Sequence, residues 1–386
     1  MSASPHLCPS TAQPMRSLVV FGGGHAGVLV AGAQSITVDA TTVRCAIART
    51  PAPPFDGGAS EHATDVQVRI RGFSCNYRDR AFIYAMRGVG ADRFMALGSE
   101  FVGEVTASGP LVEGLRPGDR VIPDHHYTGG GTDARGAREG VITNHGSREC
   151  QVFPATKLMK IPDAMPLDAA ASFSLSAQTA CSIVRRLALD RGARVLVPSA
   201  TSNTSLFLAR VLRRAGATVY GTTRDPDAAE RLRAHGIEDA FVLEPDERFS
   251  ESARLARWAD DIGGFDAVAD PFFDLHLVKA MALLRPGGRY ITCGFAGQNP
   301  EARRASGVDA IDAIAVLREA ITKNLTLIGN CLGQRADLEQ ALTDYASGAL
   351  DVVVDSVFHG EQAAPFLRRT FADRQRFGKV VFCYDD

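Results

Sequence analysis

A chain of 386 residues, 45% of them hydrophobic and 22% charged, has the composition of a globular protein and the length for two domains with separate cores. Its 42 basic and 44 acidic residues leave a net charge of −2, so neither nucleic acid nor an anionic membrane surface is an electrostatically favoured partner. No apolar run approaches the roughly 20 residues of a membrane span. The eight cysteines, at 8, 45, 75, 150, 181, 293, 331 and 383, contain no C-x-x-C pair. That pattern argues against a disulfide framework or a cysteine-built zinc lobe, and for a reducing, cytoplasmic setting.

Residues 1–14 read as a disordered leader without the basic-then-apolar pattern of a secretory signal. Met15 opens a strand, RSLVVF, followed by a Gly-rich turn and two β-rich runs, VLVAG and SITVDATTVRCAIA. The turn, Gly22-Gly23-Gly24-His25-Ala26-Gly27, fits the G-x-G-x-x-G expression, but β-like rather than helical sequence follows it, so it reads as an ordinary turn. Pro and Gly at 51–58 mark a loop, and Asp65–Gly72 (DVQVRIRG) alternates apolar and polar residues as a half-buried strand does. Phe101–Ala107 and Arg120–Pro123 add short strands, joined through the turn Arg116-Pro117-Gly118-Asp119. Residues 15–162 therefore read as a small β-rich domain. Within it, 124–147 is rich in Gly, His and Asp and reads as a long loop with a functional role.

After Pro162 the period changes. Leu167–Leu187 reads as a helix, and strands at 194–198, 218–222, 239–243, 265–269, 289–293 and 325–329 then alternate with helical segments. Six such strands predict a parallel, doubly wound sheet. The tail, 331–386, carries a helix over Asp337–Ser347 and strands near 351–358 and 379–383. It is too short to stand alone and is expected to return to the first domain.

The unit at 194–224, RVLVPSATSNTSLFLARVLRRAGATVYGTTR, carries the most information. A strand meets a small-polar turn, and a helix follows with Leu206, Leu208, Ala209 and Leu212 at helical spacing. The start of that helix is a natural phosphate site, because its backbone N–H groups and dipole favour an anion. The usual G-x-G-x-x-G is replaced by Ser199-Ala200-Thr201-Ser202-Asn203-Thr204-Ser205, so a pyrophosphate here is expected on Ser, Thr and Asn side chains as well as backbone. The second strand ends in Thr222-Thr223-Arg224, without the carboxylate that binds an NAD ribose. Two hydroxyls and a guanidinium suit a 2′-phosphate instead, which favours NADP(H). Asp225 competes as a partner for Arg224.

These residues resemble the medium-chain dehydrogenase/reductase superfamily, especially its zinc-independent quinone reductase and enoyl reductase branches. The similarity continues through Gly72–Asp79 (GFSCNYRD), Gly98–Val105 (GSEFVGEV), Pro117–Ile122 (PGDRVI) and Gln178-Thr179-Ala180. It closes with Leu284–Gly294 (LRPGGRYITCG), Lys323–Gly329 (KNLTLIG) and Phe377–Val381 (FGKVV). The resemblance implies an α/β protein in which a GroES-like barrel, 15–162 and 331–386, is interrupted by a six-stranded Rossmann domain, 163–330. It also implies an active site in the cleft between them and a homodimer through the Leu325–Gly329 edge strand.

Zinc alcohol dehydrogenases of that superfamily hold their metal on a Cys, a His and a second Cys or acid. The matching positions here are Asn76, Ser99 and Leu175, which cannot replace thiolate and imidazole, so no metal is expected. A displaced site drawn from Cys75, His125, His126, His145 or Cys150 is the alternative. The implied activity is NADPH-dependent hydride transfer to an activated C=C (enone, quinone or enoyl) or a carbonyl of a small molecule. The unusual 124–147 loop points to a specialised metabolite. By the same resemblance, Asn76 and Thr179 lie near the nicotinamide, and Gly294 and Phe295 offer backbone to its carboxamide. Proton donors come from Tyr77, Tyr84, His125, His126, Tyr127 or His145, with Asn76, Tyr77, Tyr84 and His145 as the catalytic set. Cys75 and Cys331 read as small buried groups. A non-redox protein that retains the fold is the rival reading.

Overall fold

The computed structural model describes residues 14–22, 32–89, 93–132, 136, 138–297, 311–373 and 375–385. The leader up to residue 13, the Gly-rich turn beyond Gly22 and the VLVAG run up to residue 31 lie outside them. In chain order the strands begin with β1 Pro14–Phe21, β2 Gln34–Val38, β3 Thr41–Pro51, β4 Asp65–Ser74, β5 Phe94–Ala96, β6 Glu100–Ser108, β7 Arg120–Pro123, β8 Cys150–Pro154 and β9 Leu158–Lys160. They continue with β10 Arg194–Val197, β11 Thr218–Thr223, β12 Asp239–Val242, β13 Phe265–Asp270, β14 Leu284–Thr292, β15 Thr326–Gly329, β16 Val354–Phe358 and β17 Lys379–Cys383. The helices are α1 Arg80–Ala85, α2 Leu167–Ala170, α3 Ser174–Leu187, α4 Asn203–Arg214, α5 Ala228–Ala234, α6 Ala253–Ile262, α7 Phe273–Leu283, α8 Ala313–Lys323, α9 Arg335–Ala346 and α10 Ala363–Phe371.

The described residues divide into two compact units, one within 1–175, 354–374 and 379–386, the other within 176–353 and 375–378. In the first, β16-β17-β4-β6-β7-β9 form a mainly antiparallel sheet with β8 also pairing β4, and β2-β3-β1-β5 form a second sheet. The alternation expected of DVQVRIRG is visible in β4, where every second residue from Val66 is buried. Val66, Val68, Ile70, Phe73, Phe101, Phe366 and Phe382 are fully buried in one core. The last strand joins it by pairing Phe382 with Phe73 across β17 and β4.

In the second unit six parallel strands run in the order β12-β11-β10-β13-β14-β15. The chain order reverses between β10 and β13. In such sheets ligands bind outside the carboxyl ends of the strands at that reversal. Strand β13 is buried at every residue, as expected of a strand covered on both faces. No helix of the described residues is long and apolar enough to cross a membrane.

Four expectations change. The helix foreseen over 167–187 is two helices, because the Ser172 hydroxyl bonds back to the Asp168 and Ala169 carbonyls at 2.9 and 3.1 Å and interrupts the ladder. Strand β14 starts at Leu284, and its register with β13 jumps between Phe265 and Ala267, taking up Arg-Pro-Gly-Gly as a bulge. The tail does not return as one piece. Arg185 of α3 holds Asp337 through two bonds of 2.8 and 2.9 Å, and Ser182 holds Asn330 at 3.0 Å, so residues up to 353 stay with the parallel sheet. Finally, Cys75 is buried but Cys331 is exposed.

Candidate functional site

The small-polar turn after β10 builds itself from its own hydroxyls. Ser199 takes a left-handed backbone, φ +53°, a conformation that costs a non-glycine residue roughly 1–3 kcal/mol. It is held there by bonds to β11: the Thr222 hydroxyl accepts from Ser199 N at 3.3 Å, and the Thr222 carbonyl accepts from Ala200 N at 2.8 Å. Ser202 caps α4, its Oγ accepting from Ser205 N at 3.2 Å, and Ser205 Oγ donates to the Pro198 carbonyl at 3.0 Å. Asn203 Nδ2 and Thr204 Oγ1 lie 3.0 and 3.2 Å from Ser176 Oγ. The expectation that these side chains grip a pyrophosphate therefore changes. Ser202, Ser205 and Thr222 shape the turn, and Gly378 closes on it in a parallel bridge with Ser202, its N–H donating to the Thr201 carbonyl at 2.9 Å.

The missing glycine has moved to the neighbouring strand. A Cβ on Gly221 would stand 2.8 Å from the Ala200 Cβ, so the turn packs onto β11 only because Gly221 has no side chain. A glycine inside a strand pattern was the available sequence signal, since it marks a close backbone approach. Three further residues of this unit carry observations of their own. Thr179 is 4% exposed, and its hydroxyl has no hydrogen-bond partner among the described residues. Gly294 could not carry a Cβ, which would fall 2.6 Å from the Pro271 carbonyl. The Phe295 ring is 41% exposed.

Arg224 is exposed, but its guanidinium is partly committed. It donates to the carbonyls of Glu244, Pro245 and Glu247 at 3.1, 3.2 and 2.8 Å. The Asp225 carboxylate turns to Asp227 N at 3.0 Å rather than to the arginine. Two of the five guanidinium hydrogens remain for a ligand, and Thr223 lies buried beside them, its Oγ1 accepting from Asp225 N at 3.0 Å.

The first unit holds a buried network of charges. The Lys379 ammonium, at the start of β17, donates to Asn76 Oδ1 at 2.5 Å and lies 3.1 Å from Glu100 Oε1. Glu100 is fully buried and also accepts from Ser74 Oγ at 2.9 Å and Leu175 N at 2.6 Å. Asn76 Nδ2 donates to Ser99 Oγ at 3.0 Å, and Ser99 Oγ donates to Asp79 Oδ2 at 2.6 Å. Burial pushes the Asp79 carboxyl up, against the pull of its bonds from Ser99 and Asn76. The Cys75 thiol is pushed well above its ordinary value by burial and by Asp79.

The aromatic and histidine candidates of this unit divide by what they touch. Tyr84 is buried, and its hydroxyl donates to Asp39 and accepts from Arg80 at 2.6 Å, tying α1 to the β2–β3 hairpin. The Tyr77 ring is half-buried under the Arg80 guanidinium, 4.3 Å away. His145 faces the Ala96 carbonyl through Nδ1 at 3.0 Å, so that nitrogen carries the proton. His126 is paired to Asp124 at 3.2 Å, and Tyr127 is 39% exposed. His125, in the stretch read as a long loop, is completely buried, with Nε2 3.2 Å from Ser174 Oγ. Within the 124–147 stretch the Glu139 carboxylate accepts from the backbone N–H groups of Thr128, Gly129 and Gly130 at 3.0, 3.1 and 3.2 Å. These bonds, with one from the Thr128 hydroxyl, hold its carboxyl down at about 2.

Comparison with known families agrees with both halves of this description. Residues 62–163 match the alcohol dehydrogenase GroES-like domain, and residues 204–362 match the zinc-binding dehydrogenase family. The chain belongs to the medium-chain dehydrogenase/reductase superfamily. Polyketide synthase GfsB of Streptomyces halstedii is 31% identical over 229 residues, 59% of this chain and 4% of its own. Acryloyl-coenzyme A reductase of Metallosphaera sedula is 28% identical over 334 residues, 82% of this chain and 91% of its own. The crystal structure of AibC shares the fold, with a TM-score of 0.74 at 20% identity over 97% of each chain. The chain spans only 4% to 13% of the polyketide synthases it matches.

This medium-chain dehydrogenase/reductase does not fit a zinc ion where its family name would put one. Asn76 and Ser99 offer an amide and a hydroxyl, and the Asn76 oxygen already faces an ammonium at 2.5 Å. A dication beside that ammonium would be repelled, and the hard-and-soft donor set of a dehydrogenase zinc is absent. Among the described residues no group of three His, Cys, Asp or Glu side chains is arranged to hold a metal. A nicotinamide nucleotide fits better: the turn after β10 opens a helix at the carboxyl end of a parallel strand, and the Thr179 hydroxyl is buried without a partner among the described residues.

Acid should loosen the first unit through His125. Burial, followed by the Lys157 charge, pushes its imidazole from 6.5 down to about 3. Between those values the unfolded chain binds a proton that the folded chain does not. The stabilisation is therefore complete above pH 6.5 and is lost as the pH falls toward 3. His125→Gln is expected to remove about one proton from the pH dependence of the unfolding midpoint over that window. Urea titrations at pH 4.5 and 7.5 measure it, and an unaltered pH dependence contradicts the assignment.

Proposed function

We propose that this chain is an NADPH-dependent, zinc-independent reductase that delivers hydride to an activated C=C, or to a carbonyl, of a small molecule. One observation carries the reading: the position that zinc relatives give to metal is organised instead around the Lys379 ammonium, Asn76 and Ser99. The likeness to acryloyl-coenzyme A reductase over 91% of that enzyme supports an enoyl thioester as the substrate class. When bound, the nicotinamide supplies the hydride. The start of α4, the Ser199–Ser205 turn and the Thr222–Arg224 strand end would hold the phosphates and ribose, with Thr179, Gly294 and Phe295 toward the nicotinamide. Asn76 would steady the charge that develops on the acceptor oxygen. Tyr77 is the proton donor of this reading, since the Tyr84 hydroxyl is committed to Asp39 and Arg80 and the ring hydrogen of His145 to the Ala96 carbonyl.

Calorimetric titration tests the cofactor assignment. Saturable NADPH binding well below millimolar is expected, and its absence would sink the proposal. Arg224→Ala is expected to weaken NADPH at least tenfold while changing NADH little, because its free hydrogens face a 2′-phosphate. Equal losses for both nucleotides would assign Arg224 only to the 244–247 turn it already binds.

We also infer a homodimer, formed on the second unit. Strand β15 is an edge of the parallel sheet and exposes Leu327, while α8 exposes Ile314, Leu317 and Ile321 at 71%, 60% and 76%. An open strand edge flanked by apolar side chains is a pairing template. Sedimentation of Ile321→Glu/Leu327→Glu should give a monomer where the unmodified chain gives a dimer; an unchanged mass contradicts this surface.

A further inference from the structure

We infer that Lys379 is a positioning residue, whose ammonium turns the Asn76 amide so that one Nδ2 hydrogen is held out toward the oxygen that gains charge during reduction. The inference rests on the reductase reading above. It starts from direction. An ammonium can only donate, so the end of the Asn76 amide that lies 2.5 Å from Lys379 Nζ is the carbonyl oxygen. At the other end, Ser99 has one hydroxyl hydrogen, and it goes to Asp79 Oδ2 at 2.6 Å. Ser99 Oγ is left to accept, and it does so from Asn76 Nδ2 at 3.0 Å.

A cation and a carboxylate therefore fix the two ends of one amide. Flipping Asn76 would set an NH2 group against an ammonium and an oxygen against an oxygen whose hydrogen is already committed. Asp79 cannot drift to relieve this, since it also accepts from Asn76 N at 2.7 Å and Gly98 N at 3.3 Å. Nor can Lys379, whose side chain is 5% exposed and is paired with Glu100 at 3.1 Å. Asn76 has a second Nδ2 hydrogen, and it meets no acceptor among the described residues. Reduction of an enoyl thioester adds hydride at the β-carbon and places negative charge on the thioester oxygen before the α-carbon is protonated. A pre-oriented N–H aimed at such an oxygen lowers the barrier, because its dipole needs no reorganisation. Lys379 acts on that oxygen only through Asn76.

Steady-state kinetics of the full chain with NADPH and crotonyl-N-acetylcysteamine test this. Asn76→Leu and Lys379→Met are each expected to lower kcat about 100-fold, with the KM for NADPH unchanged within twofold. The double variant should be no slower than either single one, because both remove the same oriented hydrogen. Ser99→Ala leaves the ion pair intact and is expected to lower kcat about tenfold. It decides the matter if Lys379→Met does not fold. Multiplicative losses in the double variant, or unaltered kcat in both Lys379→Met and Ser99→Ala, would overturn the positioning role. A wild-type chain that binds NADPH without turnover would remove the reductase reading and this inference with it.

Discussion

Glu100→Leu is expected to destabilise the first unit by about 3–5 kcal/mol, because it leaves a buried charge without its counter-ion. Glu100 and the Lys379 side chain are 0% and 5% exposed, so water cannot replace the lost carboxylate. The same substitution takes the carboxylate acceptor from Leu175 N at the start of α3, while the Ser74 hydroxyl keeps the Ala171 carbonyl at 2.9 Å. Each buried donor left unpaired adds to the cost. Adding Lys379→Met should recover much of the loss, since replacing both partners of a buried ion pair by apolar groups is often neutral or better. Urea unfolding of the single and double variants measures this. A loss below about 1 kcal/mol in Glu100→Leu would show that the pair is solvated and the network loose.

Gly221→Val is expected to weaken nicotinamide-nucleotide binding at least 100-fold, about 2.7 kcal/mol. The first atom of any side chain there would lie 2.8 Å from the Ala200 Cβ and 3.4 Å from Ile237 Cγ2. The turn from Ser199 to Ser202 would have to lift off β11, carrying the start of α4 with it. Overpacking of this kind costs typically 1–3 kcal/mol of stability, so the protein should remain folded while its anion site is misplaced. A swap separates geometry from mere damage. Gly221→Ala/Ala200→Gly returns the glycine to the first turn and keeps the pair's volume, and it should bind NADPH better than Gly221→Ala alone. Undiminished affinity in Gly221→Val would mean that the turn after β10 is not the phosphate site.

The two predictions stand at the two places where the sequence was least readable. The parallel sheet was legible because each strand is a short apolar run between helical repeats, and all six strands are found, with only β14 beginning earlier than expected, at Leu284. The β-rich half was legible for the same reason, from the period-2 pattern of β4. Long-range partnerships were not. Lys379 lies 303 residues from Asn76, and nothing in the local sequence of either tells of the other. Gly221 looked like part of an ordinary strand until the close approach of Ala200 gave it a reason. The hydroxyls of Ser202 and Ser205 looked like phosphate ligands because a cap and a phosphate site draw on the same residues at a helix start. The neighbours of His125 are loop-forming and say nothing of its burial, which is decided by what packs from elsewhere.

Isotope transfer tests the central claim most directly. The purified chain, held with a strong chelator, is given NADPH carrying two deuterium atoms at C4 and crotonyl-N-acetylcysteamine, and the saturated product is examined by NMR. The account predicts one deuterium at the β-carbon, formed at a rate that neither chelation nor added zinc changes. No deuterium in the product, or a rate that vanishes on chelation and returns with zinc, would contradict it.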